Sequence, residues 1–215
     1  VIDTAQSLGK RVLFWDDIIK HYPELLSELP EDAVVLDWGY LANEPLEADS
    51  EMLHKAGVTY YICPGTGAWN TLLGMTNQMI TNIRNASDLG MKYGASGLLN
   101  TDWGDCGHLQ SLPTSYSGIA YGAAMAWSPV ESREMNLAGM LDTLVFRDAA
   151  GVMGQLVLDA GNYFEVEGVH PANITHSFVM LILLSLAGNH QQNFVPVIAG
   201  VALFVFSCLI WGTKI

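Results

Sequence analysis

The chain has 215 residues, half of them hydrophobic and 14% charged, with 22 acidic against nine basic side chains and a formal charge of −13. That length builds one domain with a sizeable core. The acidic balance excludes a phosphate-binding, nucleic-acid-reading surface and disfavours an anionic membrane face. A neutral ligand such as a sugar fits the balance. The three cysteines, Cys63, Cys106 and Cys208, are far apart and odd in number, so neither a disulfide framework nor a zinc pattern is expected. No secretory leader is legible, and the balance of these signals favours a cytoplasmic or membrane-associated location.

Taken in chain order, four apolar runs read as strands buried on both faces: Arg11–Trp15, Ala33–Trp38, Val58–Cys63 and Ala95–Thr101. Asp17 is placed to cap a helical run starting at Ile18. Helices are expected over Glu47–Ala56, Thr71–Tyr93, Ser115–Trp127 and Glu131–Phe146. Strand and helix alternate, which is the α/β signature. Four β/α units make half of an eight-stranded barrel, so the fold expected is a partial (β/α)₈ TIM barrel over residues 1–170. Gly118 and Gly122, with alanines between and after them, predict close packing of a helix on that barrel. Asp159–Gly168 reads as a loop or short turn.

Residues 171–215 form a different region, an apolar helical tail. Within it, 194–211 is eighteen residues without a charge, a candidate transmembrane segment giving membrane contact. A buried terminal helix, or a tail that does not belong to the native fold, is the alternative reading of the same composition.

The chemistry-bearing residues sit at the carboxyl ends of the four runs, the face on which barrel enzymes carry their sites. Trp15, Trp38 and Trp103 end runs, and Trp69-Asn70 follows another. Convergent indole rings stack on the apolar faces of a sugar, although any one of them serves equally well as core. Asp16, Asp17, Asp37, Asp102 and Asp105 flank the rings, and carboxylates grip sugar hydroxyls strongly. Asp16 and Asp105 are the better candidates among them. Asp102, Asp105, Cys106 and His108 match no zinc spacing, so no metal or other cofactor is expected. There is no GxSxG elbow, Walker loop or GxGxxG motif.

Several of these stretches resemble one family. Arg11-Val-Leu-Phe-Trp-Asp-Asp17 and Val34-Val-Leu-Asp-Trp-Gly39 resemble the fifth and sixth strand regions of glycoside hydrolase family 20 barrels. Cys63-Pro-Gly-Thr66 with Trp69-Asn-Thr71 resembles the seventh. Leu99-Asn-Thr-Asp-Trp-Gly-Asp-Cys-Gly-His108 resembles the eighth and is the most specific stretch. The resemblance covers about residues 8–170 and implies a β-N-acetylhexosaminidase acting on terminal N-acetylhexosamine of a glycan or glycoside. Such enzymes retain configuration, using the substrate's own acetamido carbonyl as nucleophile, an exception to the two-carboxylate scheme. The resemblance implies that the family's catalytic Asp-Glu pair would precede Val1, and no Asp-Glu dipeptide occurs in these residues. The chain is thus expected to be the C-terminal half of the catalytic barrel and to hold binding residues only; a degenerate barrel that binds sugar without hydrolysis and a membrane-anchored structural protein are the alternative readings. Trp15, Trp38 and Trp103 match the rings around the acetamido pocket. Asp105 stands where the family has a Glu that grips outer hydroxyls. Tyr61, Trp69 and Asn70 are the local candidates from the seventh strand, and Asp16 completes the substrate-binding set.

Overall fold

The computed structural model describes residues 2–104, 110–163 and 165. After a short helix α1 (Ile2–Ser7), strand β1 (Leu13–Trp15) leads through 3₁₀ turns at Ile19–His21 and Pro23–Glu28 to β2 (Val34–Trp38). Helix α2 (Leu46–Ala56), β3 (Tyr60–Cys63), α3 (Thr76–Tyr93) and β4 (Gly97–Leu98) follow. Then come α4 (Pro113–Trp127), α5 (Pro129–Ser132), α6 (Leu137–Met140), a π-helical turn at Leu141–Phe146 and α7 (Met153–Ala160).

The four strands form one parallel sheet in the order β1-β2-β3-β4. Each strand pairs with the next in sequence, and parallel crossovers share one hand, so successive connections fall on the same face. The register shows this residue by residue. Val35 pairs with Phe14 and Tyr60, and Ile62 pairs with Leu98. These five side chains share one face, where Leu53 of α2 packs on Val35 and Tyr60, and Ala86 of α3 packs on Ile62. Their alternate neighbours Trp15, Val34, Leu36, Trp38, Tyr61 and Cys63 cluster on the other face, away from those helices. A second core joins Met79 and Ile83 of α3 to Tyr121 and Met125 of α4 and to Leu137 and Leu141 beyond them.

The expected strands are present but shorter. The fourth shrinks to two residues, extended by an isolated bridge between Gly65 and Thr101. The expected helix over 71–93 begins only at Thr76, because Gly74 takes φ +96 and its N–H bonds the Thr71 hydroxyl, closing a turn. The expected helix over 131–146 is broken. Asn136 caps a new helix by accepting from the Gly139 N–H, so α6 starts afresh after a turn. Asp159 and Ala160 belong to α7 rather than to a loop. Gly118 and Gly122 meet their expectation of close packing. A Cβ at Gly118 would lie 2.5 Å from the Thr66 Cα, and one at Gly122 would lie 2.2 Å from Asn100 Nδ2.

No helix among the described residues is long and apolar enough to cross a membrane. The apolar tail 171–215, with the candidate span 194–211 in it, lies outside the described residues.

Candidate functional site

The carboxyl-terminal edge of the sheet gathers aromatic rings. Trp15 ends β1 and Trp38 ends β2; Trp103 lies beyond β4. The Trp15 and Trp103 ring centroids are 5.5 Å apart. Between Trp38 and Trp103 stands Tyr40, stacked on Trp38 at 5.0 Å and tilted against Trp103 at 6.0 Å. All four rings are half-buried. Each has a hydrophobic body with a polar handle at its edge. The Trp103 indole N–H donates to the Thr101 hydroxyl at 3.1 Å, and that of Trp38 donates to Asp17 at 3.2 Å. Asp17 therefore anchors a ring. It does not cap the helical turn at Ile19–His21, which has no side-chain cap.

The loops that carry the rings are fixed by one buried amide. Asn82 of α3, 1% exposed, donates to the Gly39 carbonyl at 2.8 Å and the Leu41 carbonyl at 3.0 Å. Its own carbonyl accepts from the Gly65 N–H at 3.1 Å. It ties the segment on either side of Tyr40 to the loop after β3. Farther round, Thr66 donates to Asp102, and Thr101 bonds the Pro64 carbonyl through both its N–H and its hydroxyl.

Not every residue singled out in the sequence joins this face. Trp69 is 3% exposed and packs edge-on beneath Tyr40 at 5.6 Å, with Met75 beside it. It supports the ring cluster from below and leaves little surface for a ligand. Tyr61 is on the open face but one layer deeper, over Gly97 and beside Cys63. Asn70 is 7% exposed with its backbone in the left-handed region, φ 55. Asp105 lies outside the described residues.

Asp16 is the main correction. Strand side chains alternate, so a residue next to a ring on the open face points to the other face. Asp16 follows Trp15 and Asp37 precedes Trp38, and both are fully buried on the helix side. There they meet Asp49 of α2, the three carboxylates lying within 4.8 Å of one another. Ser50 donates to Asp37 at 2.7 Å. The Lys20 ammonium approaches Asp16 to 3.6 Å and Asp49 to 3.5 Å, and stands 5.3 Å from the Trp38 ring centroid. Burial pushes the Asp37 carboxyl up to about 7, opposed by the Ser50 hydrogen bond and reinforced by Asp16 and Asp49. Burial likewise raises Asp16 to about 6, against the pull of Lys20. Burial works against the charge on Lys20, but Asp16 and Asp49 outweigh it and hold the ammonium above its usual range. Burial also raises the Cys63 thiol, which leaves it a poor nucleophile.

Tyr40, Lys20, Asp49 and Asn82 were not singled out in the sequence. Tyr40 was within reach, since a position two after Trp38 falls on the same face of an extended chain. Lys20 was within reach as the i+4 neighbour of Asp16. Asp49 and Asn82 are ordinary helix positions with no local signal.

No protein-family model matches the chain, and no curated protein matches it. The geometry alone therefore separates two surfaces at one edge of the sheet. One is an open aromatic face, with Asp17 at the edge of Trp38. The other is a buried acidic cluster behind it.

Proposed function

We propose that the sheet is an arc of a (β/α)₈ barrel of the glycoside hydrolase family 20 type, and that its open face walls the acetamido pocket for a terminal N-acetylhexosamine. The observation that carries this reading is the meeting of rings from separate strand ends. Trp15 and Trp103 lie 5.5 Å apart although 88 positions separate them in the chain, and Tyr40 bridges to Trp38. The sequential strand order supports it as well, because a barrel is a parallel sheet wound in one direction. Half-buried indole rings suit the apolar face of a pyranose and the methyl of an acetamido group.

In this reading the chain contributes binding and positioning. The reacting nucleophile is the substrate's own acetamido carbonyl: it displaces the glycosidic oxygen from the anomeric carbon, water then opens the resulting oxazolinium-type ion with net retention, and an enclosing ring wall holds the acetamido group in the bent pose that attack needs. The Asp-Glu pair that would orient the acetamido group and protonate the leaving oxygen is not among these residues. A non-catalytic sugar-binding role has one observation in its favour: Asp16 and Asp37 face the helices, away from the rings.

The test is a tryptophan-fluorescence titration of the chain with N-acetylglucosamine and, in parallel, with glucose. The acetamido sugar should shift the emission saturably and glucose should not. An equal response to both, or none to either, would overturn the assignment. The chain alone should release no chromophore from an aryl N-acetylglucosaminide. Turnover at enzyme-like rates would show that the acid is within these residues after all.

A further inference from the structure

We propose that Asp16, Asp37 and Asp49 form a site for a hard divalent cation, with Lys20 as its built-in competitor. Three carboxylates, one just after β1, one in β2 and one in α2, place ligand oxygens within 4.8 Å of one another. Calcium–oxygen bonds are about 2.3–2.6 Å and magnesium–oxygen bonds about 2.0–2.1 Å, so oxygens gathered this closely can share one such ion. The donor set is all oxygen, the choice of a hard cation over zinc or copper.

Polar atoms of this cluster lack hydrogen-bond partners. Both carboxylate oxygens of Asp16 and one of Asp37 are buried without a hydrogen bond, and both residues are fully buried. Buried polar atoms are nearly always satisfied, so several orphans facing one point mark the place of a missing partner. Lys20 does not fill that role. Its ammonium stays 3.5–3.6 Å from Asp16 and Asp49, beyond good hydrogen-bond length, and brings one positive charge to three acids.

The cluster has a route in from solvent. The side chains of Lys20 and Asp49 are 22% and 28% exposed, so an ion and its remaining waters enter where Lys20 now lies. The lysine stem is flexible enough to withdraw toward solvent. Ion and ammonium then exclude each other. A bound ion would pin the ends of β1 and β2 to α2, behind Trp15 and Trp38. The site stands whether or not those rings bind a sugar.

The experiment uses terbium as a luminescent calcium substitute, excited through the tryptophans, since Trp38 adjoins Asp37 and its ring lies 5.3 Å from the Lys20 ammonium. The full chain should show saturable sensitised emission that excess calcium quenches. Asp16→Asn and Asp37→Asn should each weaken the ion by about tenfold or more, because each removes a charged ligand. Asp49→Asn, at a partly exposed position, should do the same and serves as the control on folding. Lys20→Met should tighten binding. No sensitised emission from the wild-type chain, or emission unchanged in all three Asn variants, would overturn the site, the latter marking diffuse binding to an acidic surface. Weaker binding in Lys20→Met would overturn the competitor role.

Discussion

The two faces of the sheet are built from the same strand ends yet ask opposite things of their side chains. On the open face, Trp15, Trp38 and Trp103 remain half-buried and meet neighbours ring to ring. On the helix face, Asp16 and Asp37, one position away along the same strands, are fully enclosed beside Asp49 and Lys20. Strand alternation alone produces this split. It teaches that a Trp-Asp pair ending a strand is not one site with a ring and an acid in it. It is a ring on one surface and an acid on another, and the two can be altered separately.

The largest expected effect lies on the helix face. The Asp37 and Asp16 carboxyls are raised to about 7 and about 6 from an ordinary 3.8. Between about pH 4 and 7 the folded chain therefore holds protons that the unfolded chain has released. Stability from these groups is fully present below pH 3.8 and is lost as pH rises through 6 and 7. Each pH unit crossed costs about 1.4 kcal/mol per carboxyl, so the fall amounts to several kcal/mol. Denaturant midpoints measured with a chelator present should drop from pH 5 to pH 7, and the drop should largely vanish in an Asp16→Asn, Asp37→Asn double variant. A drop of equal size in that variant would place its cause elsewhere.

How much of this was legible in the sequence follows from the same alternation. The run Ala33–Trp38 announced a buried strand because its first residues are apolar on both sides, and β2 is there. The gathering of Trp15, Trp38 and Trp103 followed from their common place at strand ends. The face of each Asp also followed from position, but reading each acid with its neighbouring ring concealed it. The turn that delays α3 turns on Gly74 and a Thr71 hydroxyl bond, a local detail that the helical spacing of the later residues outweighs on paper. Asn82 is beyond any local reading. Its partners Gly39, Leu41 and Gly65 are brought to it only by the tertiary fold.

That amide gives the next effect in size. Asn82→Leu removes the partner of three backbone groups: the carbonyls of Gly39 and Leu41 and the N–H of Gly65. An unsatisfied buried polar group costs about 1–3 kcal/mol, and leaving even part of this set unpaired should destabilise the chain by about 3 kcal/mol. Thermal or denaturant unfolding measures it. Because Asn82 holds both loops on which the rings sit, the variant should also weaken N-acetylglucosamine binding while leaving the terbium affinity near wild type. Loss of both together would mean that the faces are not separable.

The smallest effect, and the sharpest for the comparison, belongs to Tyr40. Its ring contacts Trp38, Trp69 and Trp103, so it is the hinge of the aromatic face, and it has no place in the acidic cluster. Aromatic pairs contribute about 0.5–1.5 kcal/mol beyond the area they bury. Tyr40→Ala should therefore cost about 1–2 kcal/mol in sugar affinity, roughly tenfold, by letting Trp38 and Trp103 lose their common support. Tyr40→Phe keeps the ring and should retain most of that affinity. Neither substitution touches Asp16, Asp37 or Asp49, so the pH dependence of unfolding should stay as in the wild type. If Tyr40→Ala flattened that pH profile, the rings and the acids would be coupled through the strands, and the division of labour between the two faces would fail.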